Sequence, residues 1–138
     1  MTRRPLQPPA RQRPAALAAG LLAIVGAFQA ALALGAPWGE AAYGGAHRGV
    51  LPPRYRAASA VASAVYGALT LITLGRGPGA TARRRILSGG SALMLLGTVM
   101  NLASRSRLER TIWTPVAGTL ALTLLRLARG VPTGGRRG

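Results

Sequence analysis

The chain has 138 residues, 18 Lys+Arg against 2 Asp+Glu, a formal net charge of +16 and 49% hydrophobic residues. Every basic residue is arginine; Asp and Cys are absent, the acids are Glu40 and Glu109, and the one histidine is His47. Paired-Asp catalysis, cysteine nucleophiles, Cys zinc sites and disulfide scaffolds are thereby excluded, and no cofactor motif is present.

The charges are segregated along the chain. Residues 14–39, 57–75, 86–104 and 111–125 carry none. A helix of a water-soluble bundle shows charge on its wet face every turn or two; these blocks have no wet face. A hydrocarbon layer about 30 Å thick is crossed by roughly 20 apolar residues at 1.5 Å per residue. The sequence therefore predicts an all-α, four-helix transmembrane bundle with disordered termini. Its helices fall near 15–35, 57–75, 86–104 and 112–128, with tails at 1–14 (Arg/Pro-rich) and 129–138 (Gly/Arg-rich). The fourth block is the shortest, and extends through Arg126 because an arginine near a helix end can snorkel to the headgroups.

The first span begins like a signal peptide, with an Arg-rich start and an Ala31-Leu32-Ala33 site. Its apolar stretch, 15–36, exceeds the 7–15 residues of an h-region, so an uncleaved helix is expected. Ala15, Ala19, Ala23, Ala27, Ala31 and Gly35 recur at i+4, as do Ser59, Ser63 and Gly67 in the second span. Rows of small residues let backbones approach in lipid. The first two helices are accordingly expected to pack tightly or to form a homo-oligomer face.

In the third span Gly89, Gly90 and Gly97 offer a similar packing surface. Asn101 near its outer end and Gln29 in the first span read as interhelical hydrogen-bonding groups. The fourth opens Thr111-Ile112-Trp113-Thr114-Pro115, where proline suits a first turn because its missing N–H costs nothing. Thr111, Thr119 and Thr123 share a row expected to be buried. No span holds an ionisable residue at mid-depth, which argues against proton-coupled transport.

The connections set the topology. Arg3, Arg4, Arg11, Arg13, Arg76, Arg83, Arg84, Arg85, Arg126, Arg129, Arg136 and Arg137 fall on one side. Arg48, Arg54, Arg56, Arg105, Arg107, Arg110 and both acids fall on the other. The positive-inside rule places both termini in the cytoplasm. Trp38, Tyr43, Tyr55 and Trp113 lie toward the outer side, as an interfacial aromatic belt would. The cations bracket spans instead of gathering on one face, so no nucleic acid partner is expected. Anionic lipid headgroups at the cytoplasmic Arg clusters are the expected contact.

The outer loop, 37–56, brings Trp38, Glu40, Tyr43, His47 and Tyr55 together; mixed polar and aromatic loops of this length are often functional, although a cap over the bundle is the first expectation for the segment. Arg105 and Glu109, spaced i, i+4, could pair on a helix. Glu40, His47 and Glu109 follow no ligand spacing; charge pairing with the outer arginines is expected before a metal site. Trp38, Glu40, His47, Arg105 and Glu109 are the candidate outer-face residues. Gln29, Ser59, Ser63, Gly67, Gly97 and Asn101 are the candidate packing residues.

Gly35-Ala-Pro-Trp-Gly-Glu-Ala-Ala-Tyr-Gly-Gly45, Leu51-Pro-Pro-Arg-Tyr-Arg56 and Asn101-Leu-Ala-Ser-Arg-Ser-Arg-Leu-Glu-Arg-Thr-Ile-Trp-Thr-Pro115 carry a resemblance. Over most of 15–128 the chain resembles a family of small, uncharacterised four-span membrane proteins of high-GC Gram-positive bacteria. The resemblance implies a plasma-membrane location and transfers no activity. The functional expectation is a non-enzymatic integral membrane protein acting through helix packing and lipid or partner contacts. The alternative is a small transport or permeation protein using the outer loop and the Gln29 and Asn101 amides.

Overall fold

The computed structural model describes residues 12–132. Within them lie four long helices: α1 (Gln12–Leu34), α2 (Pro53–Thr73), α3 (Ala80–Ala103) and α4 (Thr114–Gly130), the last preceded by a π-helical turn at Glu109–Trp113. With that turn included, all four are long and apolar enough to cross a membrane. Arg3, Arg4, Arg11, Arg136 and Arg137 of the expected tails lie outside the described residues.

Every helix continues past the charge-free block that marks it. Pro53 opens α2 in the first-turn position that proline's fixed φ favours, so Arg54 and Arg56 lie inside the helix. α3 likewise takes in Arg83, Arg84 and Arg85. The absence of charge marks the hydrocarbon depth, whereas helix ends follow the proline and glycine signals.

α1 lies along α2 and α3 along α4, two antiparallel hairpins joined mainly by α1 against α4 and more sparsely by α2 against α3. The shared core holds Ala18, Leu22 and Val25 of α1, Leu69 of α2, Leu87 and Met94 of α3, and Leu120, Leu124 and Ala128 of α4. The outer faces are apolar too: Ile24, Val61, Leu95, Val99 and Leu122 are exposed. Exposed apolar faces on every helix are unfavourable in water and suit a lipid surround.

The small-residue rows need correction. Ala19 is buried but Ala23 and Ala27 are exposed. At 3.6 residues per turn an i+4 row drifts about 40° per step, so it cannot stay on one face. The buried face of α1 instead runs through Ala18, Leu22, Val25 and Leu32. On α2, Ser59 is fully buried and Ser63 Oγ donates to the Gly26 carbonyl at 3.0 Å. Gly67 is exposed, and a Cβ there would meet nothing within 4 Å. The close approach belongs to Gly26, where a Cβ would stand 3.2 Å from Tyr66 Cβ. Of the α3 glycines only Gly90 faces neighbours, Leu69 and Leu124; Gly89 and Gly97 have open space. Thr111 and Thr119 are exposed, and Thr123 is buried but returns its hydroxyl to the Thr119 carbonyl at 2.6 Å.

Arginines tie the helix ends to one another. α1 and α2 each terminate on a left-handed glycine, Gly35 (φ 101°) and Gly75 (φ 84°). The following N–H groups close back onto Ala31 and Leu71, as in a Schellman cap. Carbonyls at these helix ends, where intrahelical partners run out, also receive side chains from the next helix. Arg56 donates to Ala33 at 3.0 Å, and Arg83 donates to Ile72 and Thr73, both at 3.0 Å. Arg110 similarly reaches back to Ser104 beyond α3. A guanidinium at a helix C-terminus also meets the negative end of its dipole.

Candidate functional site

The long loop folds down over the helix ends instead of standing out from them. Gly39 N–H donates to Gly49 at 2.9 Å, drawing its two limbs together. The approach is so close that a Cβ on Gly39 would stand 2.6 Å from the His47 carbonyl. Leu51 and Ala42 are buried on Leu32, with Phe28 and Tyr55 beside them. The loop docks on the other connection through Ser106 Oγ, which donates to the Glu40 carbonyl at 2.7 Å. Trp113 Nε1–H donates to Ala41 at 3.0 Å, and Tyr43 Oη meets Ser59 Oγ at 3.0 Å.

Beneath this roof is a cavity of about 340 Å³, within the 300–1,000 Å³ of ordinary small-molecule sites. All four helices and the loop line it. Val25, Leu93, Leu96, Met100, Val116 and Leu120 supply apolar wall, and Phe28, Tyr43, Tyr66 and Trp113 bring four of the six aromatics. The cavity reaches the molecular surface between α2 and α3, since Leu93, Leu96 and Met100 line it and are themselves exposed. Small residues at Ala62 and Gly97 leave this seam open, whereas Leu69 against Gly90 closes it nearer the termini.

The polar groups of the cavity are few. Gln29, Asn101 and Glu109 all line it. Glu109 is 6% exposed, and its Oε1 accepts from the Gly44 backbone N–H at 3.0 Å. Gln29 Oε1 is buried with no hydrogen-bond partner. The amides expected to act as interhelical glue therefore face a shared space. No hydrogen bond between side chains of α1 and α3 joins them among the described residues.

Glu109 is the residue whose position most departs from expectation. It belongs to the first turn of the fourth span and not to the connection before it. Proline cannot donate, and its ring crowds the carbonyl four residues earlier. The turn ahead of Pro115 widens accordingly: Thr114 N–H bonds to the Glu109 carbonyl, five residues back. This π turn carries Glu109 inward under the loop. The expected Arg105–Glu109 pair does not form, and Arg105 is exposed. Among the described residues the one ion pair is Arg48 to Glu40 at 3.3 Å, with both side chains largely exposed. The long loop is thus held to the short connection by Ser106 and to the fourth span by the Glu109 carboxylate on a backbone N–H, and not by charges paired across the loops.

The remaining outer-face candidates are dispersed. His47 lies against Tyr55, ring centroids 4.6 Å apart. Glu40, His47 and Glu109 do not converge, and among the described residues no three such groups are placed to hold a metal. Trp38 stacks on Phe28 at 6.1 Å and borders a second, more open depression with Glu40, Leu108 and Ile112. Of the aromatics expected as a belt, Tyr43 and Tyr55 pack on each other, and Trp38 and Trp113 pack on Phe28 of the first span. Sequence reasoning overlooked Tyr66, Phe28 and Trp113 as cavity walls. Their separation in the chain carries no pattern that could have joined them.

No family model matches this chain, and neither a curated protein nor a solved structure matches it. The functional reading rests on the cavity.

Proposed function

We propose that this chain is a non-enzymatic multi-pass protein of the bacterial plasma membrane, both termini cytoplasmic, that receives an apolar-bodied molecule from the bilayer. The observation that carries the reading is the cavity under the loop, open between α2 and α3 beside the exposed apolar side chains of Leu93, Leu96 and Met100. A roof pinned by Ser106, Trp113 and Glu109 separates that space from the aqueous side, so the membrane is its approach. The resemblance to four-span proteins of high-GC Gram-positive bacteria and the arginine asymmetry support this placement and orientation. Cytoplasmic arginines such as Arg84 and Arg85, exposed at the far end, suit anionic headgroups.

Binding is favoured over permeation by one feature: Leu69 and Gly90 close the seam below the cavity, leaving a chamber and not a path. The test uses Trp113 as reporter in a Trp38→Phe background, in bilayers whose phosphatidylcholine carries bromine along its acyl chains. Brominated chains should quench Trp113. Gly97→Phe, placed in open cavity space, should protect it. Equal quenching with and without Gly97→Phe would overturn the reading.

A further inference from the structure

Resting on that reading, we infer that the cavity selects a lipophilic ammonium: an apolar chain ending in a protonated primary amine. Three observations converge on it. The first is Glu109, a carboxylate buried at the cavity roof in a chain of net charge +16, with no arginine or histidine paired to it among the described residues. Its one side-chain hydrogen bond comes from a neutral backbone N–H. A buried charge is costly unless paired, and this one is paired only in part.

The second is Gln29, which lines the same space and whose Oε1 is buried with nothing donating to it, so that a rotation of the amide would present it to a donor in the cavity. An unmet buried acceptor calls for a donor, and an ammonium N–H is one. The third is the aromatic content. Phe28, Tyr43, Tyr66 and Trp113 surround the space, and ring faces attract cations most strongly where water is excluded. Carboxylate, orphan acceptor and aromatic walls share one complement, a positively charged group bearing N–H. The apolar wall and the lipid-facing seam require the remainder of the ligand to be a hydrocarbon chain.

The selectivity is informative because the protein's overall charge opposes it. A chain at +16 attracts anions at its surface, so preference for a cation must come from the cavity. The opposite choice, a fatty carboxylate, would set two negative groups together beside Glu109.

The experiment is a titration of the purified protein in neutral detergent, read by Trp113 fluorescence in the Trp38→Phe background. The probes are dodecylamine, dodecyltrimethylammonium and dodecanol. A cation gains from the buried carboxylate and the aromatic rings where a neutral alcohol does not, so dodecylamine should bind about tenfold or more tightly than dodecanol. Glu109→Gln, whose amide oxygen can still accept from Gly44, should abolish that preference while dodecanol affinity stays. Gln29→Leu should weaken dodecylamine but not dodecyltrimethylammonium, which has no N–H to give. Nanodiscs of phosphatidylethanolamine and of phosphatidylcholine distinguish the source of the amine: competition only by the former identifies a lipid headgroup, and competition by neither identifies a free amine. Equal affinity for dodecylamine and dodecanol, with Gly97→Phe blocking both, would overturn the ammonium inference and leave the cavity standing. Binding of both probes unaffected by Gly97→Phe would overturn the cavity reading itself.

Discussion

Gly26→Leu and Gly67→Leu should have opposite fates, although both glycines sit in apolar helices and only the second belongs to an i+4 row of small residues. At Gly26 a Cβ would stand 3.2 Å from Tyr66 Cβ and 3.8 Å from the Ser63 carbonyl. Carbon contacts are optimal at about 3.5–4.0 Å, so the first added atom already intrudes, and three more must follow it. α1 would have to move off α2, breaking the 3.0 Å bond from Ser63 Oγ to the Gly26 carbonyl. Overpacking costs about 1–3 kcal/mol, and a polar bond between helices in lipid adds about 0.6 kcal/mol. At Gly67 nothing lies within 4 Å, so leucine there projects outward, with an effect within about 0.5 kcal/mol. Thermal unfolding followed by circular dichroism in detergent should place Gly26→Leu roughly 5–15 °C below wild type and Gly67→Leu beside it. If Gly67→Leu melts early and Gly26→Leu does not, the helix facing described above is wrong.

Glu109→Gln should leave protease sensitivity of the long loop unchanged, because an amide oxygen still accepts the Gly44 N–H; Glu109→Ala should raise it, and equal behaviour of the two would contradict the contact. Arg83→Met removes two 3.0 Å bonds to the end of α2, worth about 1–3 kcal/mol together. Hydrogen exchange across residues 71–79 should quicken there and not in the exposed control Arg84→Met. Reporter fusions after Arg137 and within 76–85 should read cytoplasmic and one near Gly45 external; an external C-terminus would overturn the arginine asymmetry.

The architecture was legible because hydrocarbon leaves one plain signature, the exclusion of charge, and four such blocks permit little but four helices. Helix ends were legible only where proline or glycine marks them, as at Pro53 and Gly75. Packing faces were not: a row such as Ala15 to Gly35 is read as a stripe, yet geometry rotates it off the interface, while the isolated Gly26 makes the close approach. The cavity was hidden for a different reason. It is walled by side chains from five separate segments, and no sequence pattern joins them. Glu109 was misassigned for a traceable cause. A charge ordinarily ends a span, but the turn ahead of Pro115 is helical, and the acid begins the membrane segment.

The space beneath the loop is proposed to hold a molecule taken from the membrane. Native mass spectrometry of the protein released from its own membrane addresses this directly, with wild type and Gly97→Phe compared under identical conditions. The expected result is a discrete added mass on wild type, consistent with a single lipophilic amine, that is absent from Gly97→Phe. A bare wild-type chain, or the same added mass on both proteins, would contradict it.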